Sequence, residues 1–383
     1  MILVRGGCFH FELPVTKLVI DWSREEMLNS AKAVSDQKGK TPKFELISPA
    51  DHPEKWGEYI QRHDKATIFH TVGMYEVFSG TPKCRPWAMA ATNADGAIVA
   101  MASAVRVETL GGMASRFASR SIWYAEPICD ETDEGQAGLE LIIQAHDKAM
   151  KGQVLFTEIR PLFQQKREFT ALSNQGYTYK DYLNYVVALD VASGETNALL
   201  QNVSKSCRKQ IRKCADRGVT VKVETTHGSI DELYKLVQFS YSRSGVPLAG
   251  KELFQRALVI FGSEIVEIRL AKYKNATVAA GITLKFKGVV YAWYGGSYRL
   301  PGLAPFAALT WSEIESGARE GFRFYDFGGA GWPDEDYGPR DFKSKFGGEL
   351  VRYGRYKKVD SPMKLKAATS VFGLLKQIKL RNR

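Results

Sequence analysis

The sequence predicts an α/β protein made of two tandem copies of one mixed unit. A hairpin pattern over Trp87–Thr92, the turn Asn93-Ala94-Asp95-Gly96 and Ala97–Val107 recurs about 180 residues later as Ile268–Tyr273, Lys274-Asn275 and Ala276–Phe286. After each hairpin come strand and helix patterns in the same order, the signature of a duplicated unit. The chain has 383 residues, 44% of them hydrophobic and 25% charged. That is enough for two or three cores at a prior of ~150 residues per domain.

Residues 1–42 hold a polar run and little periodicity, and are expected to be an N-terminal extension. The first unit is expected over 43–185. Gly138–Met150 has helical spacing, Val154–Ile159 reads as a buried strand, and Tyr185–Leu189 as another. The second unit is expected over 186–360. There Val289–Ser297 continues the sheet, Ala304–Glu320 forms a helix and Phe322–Phe327 a strand. That last strand opens into a loop rich in glycine, aromatic and ionisable residues, the kind of strand end where α/β folds place chemistry. Residues 361–383 read as a basic amphipathic helix, suited either to an anionic membrane surface or to docking on the chain's own fold.

Charge and composition narrow the function classes. The net charge is +11, yet residues 352–383 alone carry ten Lys or Arg against one Asp, so +11 less +9 leaves +2 for everything before them. No run of eighteen apolar residues predicts a transmembrane helix, and the start lacks a signal-peptide pattern, so a cytoplasmic protein is expected. Five cysteines without a CxxC pair read as reduced thiols. The six histidines lack metal spacing, so no zinc site is expected. Neither a Gly-x-Ser-x-Gly elbow nor a Walker loop is present.

Four segments are candidates for chemistry. Between Asn202 and Arg217, behind Ser204 as N-cap, a predicted helix places Lys205, Arg208, Lys209 and Arg212 on one face. Four like charges there call for an anion, such as a nucleotide diphosphate, a lipid pyrophosphate or a tRNA backbone, or else form a solvated face. Arg299-Leu-Pro-Gly302-Leu-Ala304, between a strand and a helix, fits a pyrophosphate loop, although Pro301 and Pro305 remove two N–H donors. Tyr291, Trp293, Tyr294 and Tyr298 flank Gly295-Gly296 and read equally as a substrate channel or as sheet packing. Finally, Phe342-Lys343-Ser344-Lys345-Phe346 holds two lysines between phenylalanines, where partial desolvation suits an anionic substrate or a developing oxyanion.

The block Tyr325-Asp326-Phe327-Gly328-Gly329, followed by Phe342-Lys343 and Phe346-Gly347-Gly348, resembles the C-terminal signature of the Fem-type aminoacyltransferases, the peptidoglycan interpeptide-bridge branch of the GNAT superfamily. Trp56–Phe78 is similar to the family's opening segment, and Phe156–Pro161 to the end of its first domain, so the resemblance spans roughly residues 45–357. It implies tandem GNAT-like domains, each a mixed sheet flanked by helices. It implies amide formation between an aminoacyl-tRNA and an amine of a UDP- or lipid-linked muramyl peptide. The ester is already activated, so no cofactor or metal is required. By resemblance Lys343 stabilises charge at the donor–acceptor junction, with Lys345 as substitute if the register shifts by two. Asp326 orients the amine or takes its proton, or else satisfies backbone N–H groups of the glycine loop. Tyr325 and Tyr294 join the binding surface, and Lys209 and Arg212 take phosphate. A monomer with peripheral contact to an anionic membrane completes the expectation. Two other readings stand beside it. One is a CoA-dependent N-acyltransferase acting on an amino sugar, with acetyl-CoA on the Arg299–Ala304 loop. The other is a non-catalytic binding protein that uses the basic helix and tail.

Overall fold

The computed structural model describes residues 44–108, 118–163, 170–190, 196–244 and 248–366. The N-terminal extension and residues 367–383 of the basic tail lie outside the described residues.

Two sheets organise the chain. In the first, β1 (Glu45–Ile47), β2 (Cys84–Thr92) and β3 (Ile98–Val107) run antiparallel. They continue through β4 (Arg120–Trp123) to β6 (Phe156–Ile159), with β5 (Ile128–Cys129) set against β3. The β2–β3 turn is held by Asn93, whose Oδ1 accepts from the N–H groups of Asp95 and Ala97 at 3.2 and 3.0 Å. Helices α1 (Pro53–Arg62) and α2 (Val72–Ser79) precede the hairpin. Helix α3 (Asp133–Met150) links β4 to the parallel strand β6 and is capped by Thr132, whose Oγ1 accepts from Gly135 N–H.

The second sheet repeats this plan. Strands β10 (Val266–Tyr273) and β11 (Ala276–Phe286) form the hairpin, β12 (Val289–Ser297) extends it, and helix α9 (Pro305–Arg319) crosses to β13 (Phe324–Gly331), parallel to β12. Proline at the first position of α9 suits a site where no N–H is needed. Each crossover helix approaches its sheet through a glycine. A Cβ at Gly138 would lie 3.1 Å from Ala91, and one at Gly317 3.1 Å from Val290. The tandem GNAT-like organisation is therefore present in the strand order itself.

The two units exchange their final strands. Strand β8 (Leu183–Ala188), which follows β7 (Thr178–Lys180) in the chain, leaves the first sheet and pairs with β13 and β14 (Glu349–Arg352) of the second. Strand β15 (Arg355–Val359) returns to the first sheet and lies between β6 and β7. A division at 185/186 thus falls inside β8, and residues 355–359 belong by pairing to the first sheet.

Helix α4 (Thr170–Asn174) precedes β7 in the first unit; helices α5 (Thr196–Asn202), α6 (Lys205–Asp216), α7 (His227–Ser244) and α8 (Glu252–Ile265), with strand β9 (Thr220–Val223) paired to β10, complete the second. One buried apolar cluster runs across the junction, joining Met74, Val77 and Phe78 of α2 to Leu233 and Val237 of α7 and Phe254 of α8. The four described cysteines are buried free thiols.

Candidate active site

The site forms where β12 and β13 part. Their parallel pairing covers only Val289–Tyr291 with Phe324–Asp326; beyond that β12 runs on to Ser297 while β13 shifts register before Gly329 and Gly331. Parting leaves carbonyls of β13 without strand partners, and buried carbonyls need donors. Lys343, the last residue of α10 (Gly338–Lys343), supplies them. Its Nζ donates to Phe327 O and Gly329 O at 2.7 Å each, with Gly328 O at 3.4 Å. Two short bonds fix the ammonium, and the third contact is long. Burial, against the pull of Asp326, pushes Lys343 down to about 8. Phe342 packs on Phe306 of α9 and on Phe346, so the lysine sits beside an aromatic wall as its sequence neighbours suggest.

Asp326 is the last residue of β13 paired with β12 and is 5% exposed. Its Oδ1 accepts from Gly328 N–H at 2.6 Å, a turn that Gly328 makes possible with φ of +69°. Burial pushes its carboxyl up to about 6, against that hydrogen bond and Lys343. Tyr291, opposite Asp326 on β12, and Tyr353 are both raised by burial and then by the carboxylates of Asp326 and Glu126. A buried carboxylate from each unit therefore faces the same tyrosines.

The first unit contributes the opposite wall from its own parting strands, β4 and β6. Glu126, 1% exposed, accepts the Leu162 N–H at 3.0 Å and bridges that gap. Its segment is held from beneath by His70. Burial lowers that imidazole to about 4 and keeps it neutral. Nε2 carries the proton, because its partner is the Glu126 carbonyl at 2.7 Å, and Nδ1 accepts from Thr67 N–H at 3.0 Å. Tyr124, stacked on Phe69 and Phe78, and Arg160 complete this wall. Tyr294 of β12 is raised by burial and then by Tyr124 and Tyr241, and lies in the electrostatic reach of Arg160. These groups gather where the two units meet, with a raised carboxylate and a lowered ammonium on the side of the second unit.

Residues 201–344 match the family described as acetyltransferase (GNAT) domain. Over 252 residues, 61% of this chain and 72% of the relative, the sequence is 26% identical to a protein of Weissella viridescens named UDP-N-acetylmuramoylpentapeptide-lysine N(6)-alanyltransferase. The crystal structure of FemX superposes with a TM-score of 0.62 at 13% identity, over 85% of this chain and 100% of that one. The chain is thus similar in sequence to that alanyltransferase and shares its fold with FemX. A tandem GNAT protein from the clavulanic acid biosynthesis pathway shares the fold at a TM-score of 0.55 and 11% identity, over 84% of this chain and 99% of that one.

The basic residues form a second group, away from Asp326. Ser204 caps α6 as the sequence predicts, accepting from Cys207 N–H, while its own N–H donates to Lys345 O at 2.8 Å. Lys345 is exposed beside the helix start, and Lys205, Lys209 and Arg212 are exposed along it. Arg208 is different: it donates to the Leu200 and Gln201 carbonyls and closes the C-terminus of α5. The Arg299–Ala304 loop packs against the same helix, with Lys213 Nζ 3.3 Å from where a Gly302 Cβ would stand. Gly302 has φ of +71° and Arg299 is exposed. Pro301 and Pro305 carry no N–H, the Leu303 N–H is used by Leu300 O at 3.2 Å, and Ala304 is turned to the Cys214 thiol. The Gly302 N–H is among the few amides this loop can offer a phosphate.

Tyr325 lies on the other face of the second sheet. It is 1% exposed and donates to Glu313 of α9 at 2.5 Å, in a network with Arg269 and Glu267. The residues that sequence reading did not single out are Tyr182, Tyr353 and Arg355, whereas Glu126 and Arg160 lie in segments, Trp123–Pro127 and Phe156–Pro161, that are part of the resemblance. A further signal for Arg160 was charge at Glu158 and Arg160 on either side of Ile159, an alternation that a core strand lacks.

No helix among the described residues is long and apolar enough to cross a membrane, and no group of three or more His, Cys, Asp or Glu among them could hold a metal ion.

Proposed function

We propose that this chain is an aminoacyltransferase that joins an aminoacyl group, carried as an ester on tRNA, to an amine of a UDP- or lipid-linked muramyl peptide. The observation that carries the reading is the gathering of charged groups from both units around Tyr291 and Tyr353, which we read as a shared cleft. Asp326 and Lys343 from the second unit face Glu126 and Arg160 from the first, which gives a bimolecular reaction two walls and one floor. The likeness to a muramoylpentapeptide-lysine alanyltransferase over 72% of that relative supports the substrate class.

In this reading the amine nitrogen attacks the ester carbonyl and the new C–N bond forms as the ester C–O bond breaks. Asp326 accepts the amine proton and passes it to the departing ribose hydroxyl. The third N–H of Lys343 meets the oxyanion in a site where water is scarce. Lys205, Lys209, Arg212, Lys345 and Arg299 follow the tRNA backbone by charge. Both substrates are cytoplasmic, and a self-contained pair of units fits a monomer. The scarcity of free amides in the Arg299–Ala304 loop favours tRNA over acetyl-CoA as donor.

The test is transfer of labelled amino acid to a muramyl pentapeptide, with charged tRNA or acetyl-CoA as alternative donors. Ribonuclease should abolish transfer. Acylation that proceeds from acetyl-CoA after ribonuclease treatment would refute the reading.

A further inference from the structure

A row of cations crosses the first sheet at the mouth of the cleft. The register pairs Tyr356 with Ile159 and Arg355 with Lys180, so Arg160, the residue after β6, stands opposite Arg355 and Lys180 ends the row. Like charges on adjacent strands repel unless an anion sits among them. Glu158 serves both arginines, at 2.7 Å from Arg160 Nε and 3.6 Å from Arg355 Nη1. Burial works to raise Glu158, and the arginines overcome it and hold the carboxyl low. One carboxylate against three cations leaves positive charge unmet. Arg355 is the most confined of them: its side chain is 13% exposed, its Nη1 is buried and makes no hydrogen bond, and burial with Arg160 lowers it to about 10.

The surroundings orient these groups. The Arg355 guanidinium lies 3.9 Å from the centre of the Tyr182 ring, and Tyr182 meets Trp332 edge-on at 4.8 Å. Lys180 Nζ lies over Trp332 at 4.2 Å. Arg340 fastens the loop carrying Trp332 by donating to the carbonyls of Ala330, Trp332 and Glu335. On the cleft side, Arg355 Nη2 is 3.2 Å from the position of a Gly329 Cβ, and Gly329 O is a partner of Lys343.

We propose that Arg160 and Arg355, with Lys180 at the end of their row, form a subsite for a free carboxylate on the acceptor peptide. The proposal rests on the aminoacyltransferase reading and deepens it. A planar guanidinium pair suits a carboxylate held by two parallel hydrogen bonds. Position decides between this anion and the nucleotide diphosphate. Arg355 stands beside Gly329, three residues along β13 from Asp326, so an anion bound here lies roughly 10 Å from the amine at Asp326. A stem peptide carries its carboxylates within such a distance of the acceptor lysine, whereas the diphosphate lies beyond the sugar.

The experiment measures acceptor binding by calorimetry without donor, and KM and kcat with donor, for full-length wild type, Arg355→Gln, Arg355→Lys and Arg160→Gln. The acceptors are a muramyl pentapeptide with free carboxylates and the same peptide amidated; UDP alone is the third ligand. The expected result is 10- to 100-fold weaker binding of the free-acid peptide to Arg355→Gln and Arg160→Gln, with kcat within about threefold and UDP binding unchanged. Arg355→Lys recovers part of the loss, and wild type loses a similar factor on amidation that the Gln variants do not lose again. Equal binding of both peptides to wild type, with transfer intact, overturns the carboxylate subsite alone. Loss of UDP binding in the variants assigns the arginines to the diphosphate and overturns it too. Failure of wild type to bind or acylate either peptide overturns this inference and the function beneath it. Melting curves report folding, and Arg160→Gln, a third exposed in its cleft, retains the test if Arg355→Gln does not fold.

Discussion

Replacing Asp326 with asparagine should make the protein more stable and inactive at once. The carboxyl is raised from 3.8 to about 6, and burial is the leading cause. A shift of about two units corresponds to ~3 kcal/mol, at ~1.4 kcal/mol per unit. The sign follows from linkage. Stability associated with the protonated acid is fully present below the unfolded value of 3.8 and is lost as pH rises through 6. At pH 8 the wild type therefore carries the full cost of a buried charge, and at about pH 4 most of that cost has gone. Asparagine keeps an Oδ1 to accept the Gly328 N–H but brings no charge. The shift already includes the attraction of Lys343, but the buried Nδ2 of asparagine also needs an acceptor, which trims the gain to ~1–3 kcal/mol, or a rise in Tm of roughly 2–6 °C near pH 8. At pH 4 the two proteins should melt within about a degree. Transfer should fall by ~10²- to 10⁴-fold, the scale of a lost general base. Melting curves at the two pH values and a single-turnover transfer assay decide it. A variant that melts lower than wild type at pH 8, by the same margin as at pH 4, would show that the carboxylate is stabilised where it sits and would sink the argument.

Other outcomes follow from the same geometry. The pH profile of kcat/KM should be bell-shaped, falling below about 6 as Asp326 is protonated and above about 8 as Lys343 loses its proton; a flat profile between 5 and 9 would remove both from the chemistry. Lys343→Met gives up two short bonds but also a buried charge, so its stability should change by less than ~2 kcal/mol while transfer drops at least ~100-fold; a folded, fully active variant would reduce Lys343 to a strut for β13. Charge reversal at Lys209 and Arg212 should weaken binding of charged tRNA and lower the slope of log K against log salt by about two, leaving muramyl peptide binding unchanged; an unaltered slope would mean these side chains meet only water.

Much of the fold was legible because its signals are local. Alternation and turn residues located both hairpins, and they appear as β2–β3 and β10–β11. Ser204 announced the start of α6, and the helix expected over Ala304–Glu320 appears as α9. The parted strands around Asp326 were legible in outline, since an apolar run ending in Gly328-Gly329 cannot stay in a regular ladder. The exchange of β8 and β15 was not legible. Both are short strands, and nothing in five or six residues states which of two similar sheets will accept them. The roles of charged residues were hardest to read, because they depend on distant partners. Arg208 and Arg212 have the same spacing signal, yet one closes α5 and the other faces solvent. Tyr325 and Asp326 are adjacent, and the pleat sends them to opposite faces of the sheet.

The reciprocal strand exchange bears on how the chain is made. A ribosome releases residues 44–188 long before β15, so the nascent first sheet has an open edge at β6, with no place yet for β7. The first unit cannot finish until residue 359 has emerged, and by then the second unit must already have taken β8. Neither half is an independent product of translation, and splitting the gene between the repeats would leave each polypeptide holding a strand that belongs to the other.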